Sequence, residues 1–212
     1  MLYIERFINE LMTSNCYVVY NGNSKQCLVV DPASEKCEQV ITYLDENHLI
    51  PQYIILTHEH TDHTWGVNTI VDRYDAKVVC SSKCKEALPV EGNTYFQFYY
   101  DDPNYKYVVK RVDVVLEDVD FKIKWNGQII DFISTPGHSN GSVCFVINDY
   151  LFTGDAFMQY KPYIDKRKGS LEQYRISVKY LLGLYGSSSM TVCPGHGEPF
   201  AINEYSNLLS TF

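Results

Sequence analysis

The amino-acid sequence predicts an α/β fold in which helices cover the outer faces of β-sheets. Segments with strand character alternate with segments of helical character in both halves of the chain. The 212 residues contain no repeat, low-complexity tract or Gly/Ser-rich linker, and 45% of them are hydrophobic. Both features are typical of one globular domain with a filled core. We therefore expect a single domain over residues 1–212.

Turn residues and apolar runs locate the elements of the first half. Residues 21–24, with the sequence NGNS, predict a tight connection between two strands. Ser34 is suited to cap the following helix, because its hydroxyl can accept a hydrogen bond from the first turn. Pro51 is expected to interrupt the chain before a buried strand. The predicted elements are strands at 16–20 and 27–30, a helix at 35–46, a strand at 53–56, a helix near 67–74 and a strand at 77–80.

The second half repeats this order of strands and helices. Asn126-Gly127 is a strong hairpin signal, and Asn148-Asp149 indicates a second hairpin. The pattern of apolar residues further along predicts one long helix and a final short strand. The predicted elements are strands at 121–124, 128–134, 143–147 and 150–152, a helix at 171–182 and a strand at 190–193.

An aromatic-rich segment at about 91–119 is the least regular part of the sequence. Seven of its aromatic residues crowd around Asp101-Asp102-Pro103: Tyr95, Phe96, Phe98, Tyr99, Tyr100, Tyr105 and Tyr107. One interpretation is a strand pair that packs these rings into the core. The other is an insertion that walls a substrate cleft or a subunit contact, since aromatic residues are enriched at such surfaces.

Charge and hydropathy exclude several classes of partner. A net charge of −8 argues against nucleic acid, because phosphate binding depends on clustered Lys and Arg. The negative net charge is still compatible with a small anionic substrate, since bound metal ions can make one cleft positive. Glu5, Arg6 and Glu10 interrupt the apolar run that a signal peptide needs, and no segment reaches the length of a membrane helix. We therefore expect a soluble, cytoplasmic protein that acts on a small molecule, with its oligomeric state left open.

The seven cysteines form no CxxC pair, which favours reduced thiols in a cytoplasmic compartment. Cys80 and Cys84 could ligate a metal, but a spacing of four without a partner pair favours buried, apolar thiols. Cys193 is interpreted in the same way, as a residue that packs within its strand.

Three of the six histidines fall within one short segment, Thr57-His58-Glu59-His60-Thr61-Asp62-His63. This segment follows the strand predicted at 53–56, and functional loops of α/β folds lie at such strand ends. In a turn leaving a strand, His58 and His60 can point to the same side, while Asp62 and His63 turn toward a second centre. Imidazole and carboxylate are ligand types that zinc accepts in catalytic sites.

Three further residues lie at comparable strand ends. His138 and His196 each follow a Pro-Gly pair, which makes a tight turn, and Asp155 follows Thr153-Gly154. Five of six histidines and two aspartates therefore occur at junctions between strands and loops. The joint pattern predicts a metal centre.

These motifs resemble those of the metallo-β-lactamase superfamily, especially its glyoxalase II-like branch. The residues that carry the resemblance are the HxHxDH string at 58–63 and the segments TPGHS, TGD and PGHG, and it extends from about residue 15 to residue 199. It implies a four-layer αβ/βα sandwich with the metals at the edge where the sheets meet. It also implies two zinc ions per chain, with iron or manganese as alternatives.

The resemblance assigns a ligand set to each ion: His58, His60 and His138 to the first, and Asp62, His63 and His196 to the second. Asp155 would bridge the two ions. Asp31 and Thr57 match positions that orient the ligands through hydrogen bonds. Glu59 should point away from the metals, and His48 is expected at the exposed end of a helix.

The same resemblance implies hydrolysis of a small thioester or ester by a hydroxide held between two zinc ions, as in hydroxyacylglutathione hydrolase. Asp62 would ligate one ion and orient this hydroxide, so Asp62 and Asp155 are the predicted catalytic residues. Only 16 residues follow His196, so the helical C-terminal extension of a standard glyoxalase II is not expected. The missing export signal and the absence of a cysteine ligand argue against an antibiotic-degrading β-lactamase.

Other activities on the same fold stay open. They are a mononuclear iron sulfur (persulfide) dioxygenase, a lactone or phosphodiester hydrolase, and a metal-stabilised binding protein. The basic segment Lys161, Lys166, Arg167 and Lys168 would either attract a substrate carboxylate or form a solvated loop, and we favour the loop.

Overall fold

The structure is a computed structural model that describes residues 1–10, 12–88, 107–117 and 121–205. The chain divides into two compact units, one of Met1–Cys80 and Lys85–Val115 and the other of Ser81–Cys84 and Leu116–Phe212. The aromatic residues predicted to pack into the core or to wall a cleft lie, except for Tyr107, outside the described residues. Their role, and the single-domain organisation, stay predictions.

The first sheet has six strands in the order in which they occur along the chain. They are β1 (Leu2–Ile8), β2 (Asn15–Asn21), β3 (Gln26–Val30), β4 (Ile50–Ile55), β5 (Lys77–Ser81) and β6 (Val114–Leu116). The first three strands pair antiparallel, and β3, β4 and β5 pair parallel. The helices in this part of the chain are α1 (Glu38–Glu46), α2 (Thr61–Thr64), α3 (Val67–Tyr74) and α4 (Ser82–Ala87).

The central strands of this sheet are buried along nearly their whole length. Leu28, Val29 and Val30 of β3 are at most 1% exposed, as are Ile54 and Ile55 of β4. Such continuous apolar runs are typical of parallel strands, whose two faces are both covered. Because β3 and β4 pair in parallel from Leu28↔Tyr53 to Val30↔Ile55, their carboxyl ends lie side by side. The residues that follow each strand are therefore neighbours.

Two details of the first half differ from the sequence prediction. Pro51 does not interrupt the chain but lies within β4, beside a register shift between Cys27 and Leu28 that accommodates a residue without a backbone N–H. The first helix begins at Glu38 rather than Glu35, because Cys37 adopts a left-handed backbone with φ 48°. Ser34 does not cap it, and its hydroxyl accepts a hydrogen bond from the Glu10 backbone N–H at 3.1 Å instead.

The second sheet also has six strands, in the order β12-β11-β10-β9-β8-β7. They are β7 (Phe121–Trp125), β8 (Gln128–Ser134), β9 (Val143–Ile147), β10 (Tyr150–Gly154), β11 (Thr191–Pro194) and β12 (Phe200–Ala201). The long helix α5 (Leu171–Tyr185) connects β10 to β11, which pair in parallel, and a short 3-10 helix occupies Ile202–Tyr205. The pairs β7–β8, β8–β9, β9–β10 and β11–β12 are antiparallel.

Both hairpins predicted in the second half are confirmed. Trp125 pairs with Gln128 across a turn in which Asn126 and Gly127 have φ 47° and 76°. These left-handed values fit the two-residue hairpin turn that Asn-Gly favours. Ile147 pairs with Tyr150 across the second turn.

The helix α5 covers the second sheet with one apolar face. Tyr174, Val178 and Leu181 are at most 1% exposed, and they pack in a cluster with Leu151 of β10 and Phe157. Ser170 caps this helix through a 3.3 Å hydrogen bond from the Gln173 backbone N–H to its hydroxyl. None of the helices in the described ranges has the length and apolar character needed to cross a membrane.

Several elements were not predicted from the sequence: β1, α2, α4, β6 and β12. The strand β1 carries Glu5 and Arg6 among its apolar residues and its side chains are at most half-buried, so its pattern does not indicate a core strand. The other four are at most six residues long, too short for a periodic pattern to develop.

Two glycine substitutions test the Asn126-Gly127 turn between β7 and β8. Gly127→Ala is expected to destabilise the protein by about 1–2 kcal/mol, because φ +76° strains a residue with a Cβ atom although nothing lies within 4 Å of it. Gly183 in α5 has equally open surroundings without a left-handed backbone. Gly183→Ala should therefore stabilise by about 0.5–1 kcal/mol through helix propensity. Denaturant unfolding measures both, and equal effects would contradict the turn assignment.

Candidate metal centre

The first half of the candidate site lies at the carboxyl ends of β3 and β4. Asp31 directly follows β3, and Thr57 and His58 follow β4 after a single buried residue. The Asp31 backbone N–H donates to the Ile55 carbonyl at 3.1 Å, which continues the pairing of the two strands. The parallel register therefore brings Asp31 beside the histidine-rich segment.

The Asp31 carboxylate organises this half of the site. Its Oδ1 accepts the Thr57 backbone N–H at 2.8 Å, and its Oδ2 accepts the Thr57 hydroxyl at 2.7 Å. His63 Nδ1 lies 3.0 Å from the same Oδ2. Asp31 is 2% exposed and His63 is fully buried, so these contacts form away from water. A carboxylate on one ring nitrogen fixes the orientation of the imidazole, as is common for metal-binding histidines.

Thr57 determines the tautomer of His58. The threonine hydroxyl has one hydrogen, which Asp31 accepts, so His58 Nδ1 at 3.0 Å donates to the hydroxyl oxygen. The lone pair of the neutral ring is then on Nε2, which lies 3.0 Å from His60 Nδ1. Two imidazole nitrogens thus approach each other as they do around a shared cation.

Asp62 and His63 form the other pair in this unit. His63 Nε2 lies 3.7 Å from Asp62 Oδ2, on the side of the ring opposite Asp31. The pair lies on α2, a single helical turn from Thr61 to Thr64. The first unit therefore brings together all four residues of the HxHxDH motif that were predicted as ligands, and both residues that were predicted to orient them.

The second unit brings together His138, Asp155 and His196. His138 Nδ1 donates to the Tyr163 carbonyl at 2.9 Å, so its lone pair is on Nε2, which lies 3.4 Å from Asp155 Oδ2. His196 Nε2 lies 3.6 Å from the same oxygen. One carboxylate oxygen, on a residue only 7% exposed, therefore faces two imidazoles.

Glycines shape the turns that present these three residues. Gly137 precedes His138 with φ 148°, and a Cβ atom there would lie 2.3 Å from the backbone of Tyr174 in α5. Gly154 precedes Asp155 in a left-handed conformation with φ 47°. The Gly195 backbone N–H donates to the Gly154 carbonyl at 2.8 Å, which ties the turn before His196 to the turn before Asp155.

The donor atoms fit a divalent metal. Zinc binds imidazole nitrogen and carboxylate oxygen at about 2.0–2.2 Å, so two ligand atoms on one edge of a tetrahedron lie about 3.3–3.6 Å apart. The four pairs within the two units lie 3.0, 3.4, 3.6 and 3.7 Å apart. The distances of 3.4 and 3.6 Å lie within this range, and those of 3.0 and 3.7 Å lie within about 0.3 Å of it, as for ligand atoms held around an ion.

Three contributors to the site were missed by the sequence analysis. Asn9 and Ser14, on the connection between β1 and β2, bond to the backbones of Asp31 and Asp62 respectively. The Tyr163 carbonyl holds His138. Asn9, Ser14 and Tyr163 lie in no motif, and their contacts depend on residues distant along the chain.

Residues outside the ligand set lie largely where the sequence analysis placed them. Cys193 is buried in β11, where burial raises the pKa of its thiol to about 12, and all seven cysteines are buried and free of disulfides. His48 is exposed just after α1. Arg167 is 83% exposed and pairs with Asp165 at 2.9 Å, as in a solvated loop. The orientation of Glu59 stays a prediction.

Comparison with known proteins identifies the family. The model of the metallo-β-lactamase superfamily matches residues 10–196. This chain belongs to the metallo-β-lactamase superfamily. Members of this superfamily are mostly hydrolytic metalloenzymes, and divalent metals bind in their binuclear sites. The clustered histidines and aspartates described above are donors of that kind.

Three relatives show how far the similarity extends. An uncharacterised protein of Mycobacterium leprae is 29% identical over 205 residues, which cover 91% of this chain and 90% of that protein. The hydroxyacylglutathione hydrolase of Klebsiella pneumoniae is 30% identical over 137 residues, which cover 65% of this chain but only 45% of the enzyme. The crystal structure of the BLEG-1 B3 metallo-β-lactamase matches with a TM-score of 0.86 and 26% identity over 97% of both chains. The predicted family and the predicted fold class are confirmed.

Replacing Asp31 tests the network behind the ligands. In Asp31→Asn, an amide NH2 replaces one carboxylate oxygen. It then faces at least one of the three donors that Asp31 accepts, which are the Thr57 backbone N–H, the Thr57 hydroxyl and His63 Nδ1. Because two donors cannot bond to each other, the metal-free protein should lose about 1–3 kcal/mol of stability. Metal affinity should fall about 10–100-fold, because His63 loses its carboxylate partner. Unfolding with a chelator present and metal titration measure the two effects.

The matched control is Asp72→Asn, which removes an exposed carboxylate that pairs with Lys110. It should change neither quantity appreciably. Unaltered metal affinity in Asp31→Asn would contradict the role assigned to this carboxylate.

Proposed function

We propose that this protein is a dinuclear metal hydrolase, with zinc as its metal, that cleaves a small thioester or ester. The single observation that carries the proposal is the shared oxygen of Asp155, which lies 3.4 Å from His138 Nε2 and 3.6 Å from His196 Nε2. A carboxylate oxygen between two imidazoles is suited to contact two ions at once. A single structural zinc would need no such shared ligand.

We assign His58, His60 and His138 to the first ion, and Asp62, His63 and His196 to the second, with Asp155 common to both. Membership of the superfamily supports this assignment, as does the pairing of donors within each unit. Asp31 and Thr57 orient His63 and His58 and favour the tautomer that leaves Nε2 for a ligand bond.

The ions would polarise the carbonyl of the substrate and lower the pKa of a water molecule. Asp62 is the residue that we assign to orient this water. Its side chain is 19% exposed, whereas the side chains of His63 and Asp155 are 0% and 8% exposed. One of its oxygens can therefore serve as a ligand while the other accepts a hydrogen bond from the water.

The histidines favour a thioester over substrates with poorer leaving groups. Five of the six are assigned as ligands, and His48 is exposed beyond the end of α1. No histidine is then left to protonate a departing alkoxide or amine. A thiolate departs without this assistance, because the pKa of a thiol is only about 8.5. The similarity to hydroxyacylglutathione hydrolase supports the same substrate class, although it spans less than half of that enzyme.

The expected partner is a small molecule rather than nucleic acid or a membrane, in keeping with the net charge of −8. Cytoplasmic localisation is proposed because none of the seven cysteines forms a disulfide bond, as is typical of proteins in reducing compartments.

Metal analysis with an activity screen tests the function. Protein purified without chelators should contain about two zinc ions per chain and should hydrolyse acyl thioesters faster than esters, lactones, phosphodiesters or β-lactams. Removal of metal should abolish turnover, and added zinc should restore it. One iron per chain with oxygen uptake would instead identify a dioxygenase. Full activity after rigorous metal removal would contradict metal catalysis altogether.

Asp155→Ala tests the shared ligand. Both ions lose a contact, so metal content and thioester turnover should fall together, turnover by more than about 100-fold. His48→Ala is the control, because this histidine is exposed and outside both ligand sets. It should leave both quantities unchanged. Retention of two ions by Asp155→Ala would show that this carboxylate does not bridge them.

A further inference from the structure

The connection between β1 and β2 carries two polar residues that are almost completely buried. Asn9 is 3% exposed and Ser14 is 0% exposed. The chain reverses between them through Met12 and Thr13, both in left-handed conformations, and the Asn9 backbone N–H donates to the Ser14 carbonyl at 2.8 Å. Buried polar side chains are costly unless they form hydrogen bonds, so the partners of these two residues indicate what they do.

Their hydrogen bonds lead to two residues of the metal centre. Asn9 Nδ2 donates both of its hydrogens, to the Asp31 carbonyl at 3.1 Å and to Ser14 Oγ at 2.9 Å. The single hydrogen of Ser14 Oγ is donated to the Asp62 carbonyl. Asn9 Oδ1 accepts the Ala33 backbone N–H at 3.0 Å, which fixes the orientation of the amide.

We propose that Asn9 and Ser14 are positioning residues for the metal ligands, and that Ser14 acts selectively on the second ion. We call the pair the Asn9–Ser14 clamp. The proposal rests on the ligand assignment made above, in which Asp62 belongs to the second ion. Neither residue is assigned as a ligand, and both act through backbone carbonyls.

Asp62 needs an external anchor because α2 is only four residues long. A helical turn of this length has little stability of its own. The hydroxyl of Ser14 therefore holds the Asp62 peptide from outside the turn. Ligands must be held to within about 0.5 Å for tight metal binding, so loss of this anchor should weaken binding at that ligand.

The two residues of the clamp should differ in their effects. The hydroxyl hydrogen of Ser14 is donated to Asp62, which is assigned to the second ion. Asn9 reaches Asp31, whose carboxylate contacts His63 directly and His58 through Thr57. Ser14→Ala removes the bond to Asp62 but leaves the bond from Asn9 to Asp31, so it should weaken mainly the second ion, whereas Asn9→Ala should weaken both. A purely structural role would lower stability without distinguishing between the ions.

The test is a stepwise zinc titration of the metal-free protein against a chelating indicator, with unfolding measured in parallel. Ser14→Ala should weaken the second binding step about tenfold and leave the first within about twofold. Asn9→Ala should weaken both steps. The control is Thr69→Val, which removes another hydroxyl that donates to a backbone carbonyl, that of Glu35 at 2.6 Å. It should change neither step.

The possible outcomes distinguish failure of the Asn9–Ser14 clamp from failure of the proposed dinuclear function. If the wild-type protein binds two ions and Ser14→Ala binds both with unchanged affinity, the clamp is overturned and the dinuclear function stands. Equal weakening of both steps by Ser14→Ala would overturn its selectivity for the second ion. A wild-type protein that binds fewer than two ions would overturn the dinuclear function and this proposal together. Asn9→Ala is the riskier variant for folding, and the Ser14→Ala result decides the proposal without it.

Discussion

The buried carboxylate of Asp31 is the interaction on which the first half of the metal centre depends. It accepts hydrogen bonds from the Thr57 backbone and hydroxyl and contacts the ring of His63, all within 3.0 Å. Through Thr57 it also determines which nitrogen of His58 carries the lone pair. The parallel pairing of β3 and β4 makes these contacts available, because it brings the two strand ends together. The same strands that fill the core thus orient the proposed ligands.

Backbone constraints play the corresponding part in the second unit. His138 is oriented by the Tyr163 carbonyl, and the turn before it requires Gly137 because α5 passes too close for a side chain. Gly154 and Gly195 link the turns that present Asp155 and His196. This half is therefore held mainly by close backbone contacts and the first half mainly by a buried carboxylate. Both arrangements hold the candidate donor atoms through contacts within the protein itself.

The proposed assignment gives nearly every histidine to metal binding, which bears on the substrate that we propose. Without another histidine to protonate a leaving group, the proposed site suits substrates whose leaving group is already stable as an anion. Under the proposed assignment this argument favours thioesters, and the partial similarity to hydroxyacylglutathione hydrolase supports the same proposal. The exposed basic loop around Arg167 is less informative, because its charge is partly neutralised by Asp165.

The sequence alone determined the family, the fold class and most of the strands and helices. Motif spacing and turn residues such as Asn126-Gly127 act locally, so they can be recognised without a structure. Only the tertiary structure decided that Pro51 lies within β4, that α1 begins at Glu38, and that the Asn9–Ser14 clamp reaches the site. Each of these depends on contacts between segments that are distant along the chain: a register shift beside Cys27, a left-handed Cys37, and a hydrogen bond across 48 positions. Local patterns carry no information about such contacts, which is why they were missed.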